Sequence, residues 1–184
     1  MDQAELDLLR EFANTHDVER DQDELGSPEL LSAWLLERGL IAPGDPVGIE
    51  GHARFLAIRD GIRALALGNN EERVDEAAVE AMNRAAASVP LAVHVQSGAG
   101  DGTWQLVPAA PGIDGFAGRM LGALAAAMAD GSWSRVKACR NEACRWVFHD
   151  HSRNHSGTWC TMAVCGSRMK ARAYRARRRA AASA

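Results

Sequence analysis

The residues of this 184-residue chain best suited to chemistry are its four cysteines, all between positions 139 and 165. They form two C-x4-C pairs separated by 15 residues, and they are Cys139, Cys144, Cys160 and Cys165. Structural Zn²⁺ takes four tetrahedral ligands and binds thiolates well, and each short pair lets one turn of chain supply two of them. We therefore predict a closed structural zinc site. Two disulfides are the alternative, which a reducing compartment would disfavour.

Histidines between the two cysteine pairs are the other candidate ligands. His149, His151 and His155 all lie in this insert, and mixed cysteine–histidine sites exist. Four thiolates already complete a tetrahedron, whereas a catalytic zinc keeps one position open. We expect none of the three histidines to bind the metal.

Aromatic residues flank the same cysteine pairs. Trp146, Val147 and Phe148 follow the first pair, and Trp159 directly precedes the second. A module of about 45 residues has too little apolar core to be stable by itself. We expect these side chains to pack beside the metal, with base stacking by an exposed tryptophan as the alternative.

The segment after the last cysteine, GSRMKARAYRARRRAAASA, is rich in alanine and arginine and lacks proline, so it predicts a helix. Met169 and Tyr174 are its candidates for inward contacts. A guanidinium group binds phosphate through two parallel hydrogen bonds, and clustered cations favour duplex nucleic acid through counterion release. A solvated helix is the alternative. One face is formed by Arg168, Arg172, Arg175 and Arg179, and Lys170, Arg177 and Arg178 widen it.

The formal net charge of −3 hides a strong asymmetry along the chain. Residues 135–184 hold 12 Lys and Arg against 2 Asp and Glu, whereas residues 1–134 hold 9 against 22. Such a division indicates a polyanionic partner for the basic part. A disordered tail, or a tail that docks onto the acidic part, is the alternative.

Residues before position 130 have the periodicity of a mainly helical domain. Ser27 before Pro28 predicts a helix start, Gly39 predicts its end, and Asp75 predicts another N-cap. Two β-rich segments flank the Gly-rich stretch 97–102, which predicts a hairpin. The expected helices lie around Leu6–Phe12 and over 28–38, 49–68, 75–88 and 114–129, and the expected strands over 91–96 and 103–108.

The segment 130–135 combines turn residues with the change from acidic to basic composition, so we expect domains over 1–131 and 132–184. The most apolar segment, 116–129, is shorter than the about 20 residues that a membrane-spanning helix needs. The N-terminus lacks the pattern of a secretory signal. We expect a cytoplasmic protein with no membrane partner.

A dense motif runs through the cysteine-containing segment: aromatic-x-Asp-x-Ser-Arg-Asn, then Trp-Cys-x-Met, then Cys-Gly and a Lys-Ala-Arg helix. On this motif the segment resembles the CGNR zinc finger family. The matching residues are Phe148, Asp150, Ser152, Arg153, Asn154, Trp159, Cys160, Met162, Cys165, Gly166, Arg168, Lys170, Ala171, Arg172 and Arg175. The sequence departs from the family pattern at Ser167, where asparagine is expected, and at Gly157 and Thr158, which replace residues that are usually basic.

Weaker pieces of the first part resemble the ABATE domain of stress-induced transcription regulators, which precedes this finger. They are Asn14-Thr15, the stretch from Trp34-Leu35 to Gly39-Leu40, and the stretch from Arg59 to Leu65. Together the two resemblances cover nearly the whole chain.

The resemblance implies a DNA-binding transcriptional regulator of the α+β class. We expect a mainly helical N-terminal domain with a small antiparallel sheet, followed by a small treble-clef or ribbon-like zinc module that ends in the basic helix. The N-terminal domain would sense a small molecule or mediate assembly, for example as a homodimer. The expected DNA contacts are Arg153, Arg168, Lys170, Arg172, Arg175, Arg178 and Arg179.

Two other classes of protein remain open at this stage. One is a zinc-stapled protein-interaction module. The other is an enzyme with its site in the N-terminal domain, built on His52 with Asp60 or on His94 with Trp104. Neither pair has a catalytic motif around it, so we expect no enzyme.

Overall fold

The computed structural model describes residues 2–97 and 102–182. Within these residues the chain forms six α-helices and three two-stranded antiparallel sheets. The helices are α1 (Gln3–Ala13), α2 (Pro28–Glu37), α3 (Ile49–Gly68), α4 (Glu76–Ala86), α5 (Gly112–Ala129) and α6 (Ser167–Ala182). The strands are β1 (His16–Asp17), β2 (Gln22–Asp23), β3 (Leu91–Gln96), β4 (Thr103–Pro108), β5 (Val136–Ala138) and β6 (Val147–His149).

Local signals in the sequence set the ends of α2. The Ser27 hydroxyl accepts a hydrogen bond from the backbone amide of Leu30 at 3.3 Å, and Pro28 occupies the first helical position. At the other end Gly39 adopts a φ of 63°, and the Leu40 amide donates to the carbonyl five residues earlier at 2.9 Å. This left-handed glycine stop satisfies the last carbonyl groups of the helix, as the sequence predicts.

Four aromatic rings join the helices of the N-terminal part. Phe12 of α1 packs edge-on against Phe55 of α3 with ring centroids 5.8 Å apart, and Phe55 stacks on Phe116 of α5 at 5.6 Å. Trp34 of α2 completes the cluster 6.2 Å from Phe12. Each such ring pair contributes about 0.5–1.5 kcal/mol beyond its area burial. These contacts fix α1, α2, α3 and α5 around one core.

The β3–β4 hairpin packs against α5 and follows the predicted strand bounds. Its register pairs Leu91 with Pro108 and Gln96 with Thr103. Most of the predicted Gly-rich turn, residues 98–101, lies outside the described residues. Helix 49–68 also has the predicted bounds, whereas α5 begins two residues before the predicted 114.

The C-terminal part shares its core with the N-terminal part. A 3-10 helix over Ser132–Arg135 leads into β5, and Trp133, Val136 and Ala138 are all buried in the same apolar cluster as the aromatic rings. Strand β5 packs on α3, and Val147 of β6 is fully buried. The change in composition near residue 131 therefore does not coincide with a break in packing. The α+β class and the small sheets followed by a terminal helix are confirmed.

Helices that could cross a membrane were sought in the same described ranges. None of those helices is both long enough and apolar enough to do so.

Candidate metal centre and basic surface

The four cysteines come together in one cluster. Cys139 follows β5, Cys144 lies in the turn before β6, Cys160 lies in the following loop, and Cys165 lies in a π-helical turn over Met162–Gly166 that leads into α6. All four Sγ atoms are within 4.8 Å of one another. The Cys144–Cys160 and Cys160–Cys165 Sγ distances are both 3.7 Å, and all four thiols are free. The alternative of two disulfides is wrong.

This geometry fits a tetrahedral metal ion. A tetrahedron with metal–sulfur bonds of about 2.3 Å has sulfur–sulfur edges of about 3.8 Å, close to the two distances above. The only group of possible ligands within the described residues consists of the four cysteines. Because all four groups are cysteine thiols, a metal ion bound here would have no position left open for substrate, as in structural sites.

The turn between β5 and β6 positions the first two ligands. The Cys139 amide donates to the Trp146 carbonyl at 2.9 Å, and the Cys144 amide donates to the Asn141 carbonyl at 2.8 Å. Arg145 closes the turn with a φ of 53°. The buried Asn141 side chain then donates to Cys165 Sγ at 3.6 Å, so it links the first pair to the second. Such outer hydrogen bonds orient the ligands of a metal site.

The close packing of the thiols changes their proton affinities. The pKa of Cys139 falls to about 5 because the Cys144 thiol donates a hydrogen bond to it. The pKa of Cys144 rises well above its usual range because it is that donor and because burial disfavours its charged form. Burial and the negative charge of Cys139 raise the pKa of Cys160 to about 12. A cation bound among the four sulfurs would favour the thiolate forms, which are the ones that ligate a metal.

A buried ion pair shapes the loop between the two cysteine pairs. Lys137 Nζ lies 2.8 Å from Asp150 Oδ2, and the two side chains are only 6% and 2% exposed. Burial alone would raise the pKa of Asp150, but hydrogen bonds from Lys137, Ser152 and Gly157 outweigh it and hold that pKa well below its usual range. A Cβ atom on Gly157 would lie 2.5 Å from Asp150 Oδ1. Position 157, where the family usually has a basic residue, therefore lies too close to Asp150 for any residue other than glycine.

Three asparagines clamp this region onto the N-terminal helices, and sequence reasoning gave none of them this role. The Asn14 side chain accepts from the Val147 amide at 2.7 Å and donates to the Val147 carbonyl at 2.8 Å. Asn69 donates to the carbonyls of Trp133 and Val136 at 2.7 and 2.9 Å. Asn70 donates to the carbonyls that precede Cys139 and Trp159, Ala138 and Thr158, at 2.8 and 2.9 Å. The sequence points to Asn14 only through the resemblance to the ABATE domain.

The aromatic residues near the metal do not all pack as expected. Val147 is fully buried, but Trp146 is 41% exposed. Trp146 lies before the first residue of β6 and directly after Arg145, whose φ of 53° belongs to the turn. Phe148 and Trp159 are half-buried.

Helix α6 stands clear of the core from its second turn onward. None of its described side chains is buried, and Tyr174 is 56% exposed, so the predicted inward contact of Tyr174 is wrong. Met169 is half-buried. The predicted DNA-contact residues Lys170, Arg172, Arg175, Arg178 and Arg179 are all exposed on this helix, and Arg153 is exposed in the loop that Asp150 shapes.

The first turn of α6 has two further contacts. Ser167, in the place of the family asparagine, donates its hydroxyl to the Met162 carbonyl at 3.1 Å. Arg168 forms an ion pair with Glu19, which lies between β1 and β2. This predicted DNA-contact side chain is therefore paired with an acidic residue of the N-terminal part.

The histidines and the conceivable enzyme residues have other surroundings. His149 and His151 pair with each other, with ring centroids 4.4 Å apart. His52 Nε2 lies 2.5 Å from the Leu25 carbonyl, and Asp60 pairs with Arg59. His94 lies opposite Gln105 in the hairpin register, whereas Trp104 lies opposite Val95, so His94 and Trp104 point to opposite faces.

A four-cysteine cluster between a β-hairpin and a helix, joined to a mainly helical domain, defines a treble-clef-like zinc finger protein. The family model for the CGNR zinc finger matches residues 135–178. The ABATE model, described as "putative stress-induced transcription regulator", matches residues 6–131. The chain therefore belongs to the ABATE family and carries a CGNR zinc finger at its C-terminal end. Comparison with curated proteins gives no significant match.

Proposed function

We propose that this protein is a DNA-binding transcriptional regulator whose four cysteines hold one structural Zn²⁺. The ion would join β5, β6 and the π-helical turn, and it would supply a crosslink rather than a reaction. The observation that carries the proposal is α6 itself. This helix bears seven Lys and Arg and no Asp or Glu over residues 167–182, and it begins two residues after the proposed metal ligand Cys165.

The dimensions and charge of α6 suit duplex DNA. Sixteen residues of α-helix extend about 24 Å, and the major groove of B-form DNA admits an α-helix. Each cation that replaces a counterion at a phosphate makes binding more salt-dependent, with a slope of about −0.9 per contact. Because α6 follows directly from the turn that the metal ion would hold, the ion would also fix the direction of the first residues of the helix.

The N-terminal domain is proposed as the sensing or assembly part of the regulator. A groove of about 1060 Å³ runs between α1 and the C-terminal part that holds the four cysteines, here called the metal module. Residues of both parts line it, including Arg10, Arg38, Trp146 and Val164. A small molecule in this groove would contact the helical domain and the metal-binding hairpin together. Homodimerisation through the N-terminal domain is a further expectation, since many DNA regulators are symmetric.

A cytoplasmic location is part of the same proposal. A cluster of four cysteine thiols within 4.8 Å of one another can hold a metal only where cysteines are kept reduced.

The test is a titration of random-sequence duplex by fluorescence anisotropy at several salt concentrations. We expect Arg172→Ala and Arg175→Ala each to weaken binding to all sequences and to reduce the salt slope by roughly one. Arg84→Ala is the matched control, because Arg84 is an exposed arginine on the separate helix α4. The DNA-binding proposal fails if the wild type binds no duplex at low salt.

If the duplex is not bound, the zinc-stapled protein-interaction module is the function to consider next. The exposed Trp146 beside the groove is the observation that favours it.

A further inference from the structure

The ion pair between Arg168 and Glu19 joins the two oppositely charged parts of the chain. Arg168 is the first basic residue of α6, and Glu19 lies 149 positions earlier in the chain. Their side chains are 54% and 45% exposed, so both can be reached from solvent. The contact occupies a guanidinium group that α6 would otherwise present to a partner.

Glu19 belongs to a concentrated group of carboxylates. Residues 17–24, here called the acidic tip, contain five Asp and Glu and one Arg. The tip consists of β1, β2 and their connection, and Arg20 within it pairs with Asp17 at 3.1 Å. Its net negative charge faces the start of the most basic element of the protein.

Two arginines of α3 anchor the acidic tip to the folded core. The buried Arg59 of α3 holds Asp23 at 2.6 Å, and Arg63 donates to the carbonyls of Ala13 and His16 at 2.5 and 2.7 Å. Asn14, next to Ala13, is bonded to β6 of the metal module. The tip and the start of α6 are therefore held relative to each other by the folded core rather than by the ion pair alone.

We propose that the acidic tip acts as an internal competitor of nucleic-acid phosphate for Arg168, so that bound duplex is directed to the later part of α6. This inference rests on the proposed DNA binding and describes the regulation of that same surface. In the resting protein Glu19 neutralises Arg168, whereas Lys170, Arg172 and Arg175 are exposed and form no ion pair with the described residues of the tip. Full engagement of the duplex requires the pair to open.

The size of the effect follows from the exposure of the pair. Exposed ion pairs change equilibria modestly, so removal of the competing charge should tighten duplex binding by about two- to fivefold. It should also steepen the salt dependence by roughly one phosphate contact, because Arg168 then displaces a counterion.

The experiment compares Glu19→Gln with wild type in the anisotropy titration against random-sequence duplex at several salt concentrations. Asp21→Asn is the matched control, because it removes the same charge from the same tip and asparagine tolerates the positive φ of 53° at that position. A second pair, Arg168→Ala and Glu19→Gln/Arg168→Ala, tests whether the effect passes through Arg168. Far-UV circular dichroism checks that each variant is folded.

We expect tighter binding and a steeper slope for Glu19→Gln, an unchanged slope for Asp21→Asn, and equal affinities for the two Arg168→Ala proteins. If wild type binds duplex and Glu19→Gln binds it identically, the competitor role is overturned while DNA binding stands. Equal tightening by Glu19→Gln and Asp21→Asn without a change in slope also overturns it, in favour of a general field of negative charge. If no variant binds duplex, the DNA-binding proposal falls and this inference falls with it.

Discussion

Asn14 forms two hydrogen bonds with the backbone of Val147, one to its amide at 2.7 Å and one to its carbonyl at 2.8 Å. A side-chain amide thus pairs with β6 as a neighbouring strand would, and it connects α1 to the metal-binding hairpin. Since Val147 is fully buried, neither of its backbone groups has water as a substitute partner.

The first prediction concerns this junction. Asn14→Ala should lower the free energy of unfolding by about 1–3 kcal/mol per buried group left unsatisfied. The measurement is urea unfolding of the metal-loaded protein. Asn83→Ala is the control, because Asn83 is exposed on α4, and we expect it to leave the urea midpoint nearly unchanged. Equal midpoints for Asn14→Ala and wild type would show that this junction contributes nothing to stability.

The second prediction is that each chain binds one Zn²⁺ and releases at least two protons at pH 7. Cys160, with a pKa of about 12, and Cys144, with a raised pKa, are thiols at neutral pH and must deprotonate to become ligands. Zinc affinity should therefore rise with pH near neutrality, by at least about two decades per unit.

Calorimetric titration of Zn²⁺ in buffers of different ionisation enthalpy counts the released protons. Cys160→Ser should lose most of the affinity. A protein that carries no metal and has a Cys139–Cys144 disulfide would refute the site.

The third prediction concerns the buried Lys137–Asp150 pair. Asp150→Ala should destabilise the protein by about 3–5 kcal/mol, because it leaves the ammonium of Lys137 buried without its counter-charge. The double variant Lys137→Met/Asp150→Ala should be less destabilised than Asp150→Ala alone, since it removes both charges. Thermal unfolding of the set measures this coupling, and simple additivity of the two substitutions would argue against a direct interaction.

The fourth prediction addresses Ser167, which occupies the position of the family asparagine. Its hydroxyl bonds to the Met162 carbonyl at the start of α6, next to the metal-held turn. We expect Ser167→Asn to change which sequences are preferred more than it changes overall affinity. Selection of bound duplexes from a random pool, followed by titration of the enriched and starting pools, measures both quantities. An altered affinity with an unchanged preference would place this side chain at the phosphates.

The parts of the fold that the sequence predicts are those governed by neighbours along the chain. Gly39 ends α2 and Asp75 caps α4 because the determining contacts lie within about one helical turn. The cysteine spacing likewise predicts the metal cluster, since each pair is set by a short turn. The ABATE and CGNR resemblances are confirmed by the family models.

Contacts between distant positions are what sequence patterns do not reveal. Asn14 and Val147 are 133 positions apart, and Glu19 and Arg168 are 149 apart, so no spacing rule connects them. Trp146 is 41% exposed, so its predicted packing is wrong, and its place beside a cysteine pair does not predict that exposure. The opposite charges of residues 1–134 and 135–184 predict, as one alternative, that the basic part docks onto the acidic part. Charge counts alone do not identify Glu19 and Arg168 as the residues that pair.

Asn70 lies two residues after the end of α3 and connects that end of the helix to the cysteine cluster. One side-chain amide of Asn70 holds the carbonyls of Ala138 and Thr158, and these residues precede the two ligand-bearing turns. Because a single amide spans them, the end of α3 sets the spacing between the two turns. We expect loss of this one side chain to release both turns from the helical domain at once, so that the cysteine cluster and the end of α3 lose their order together.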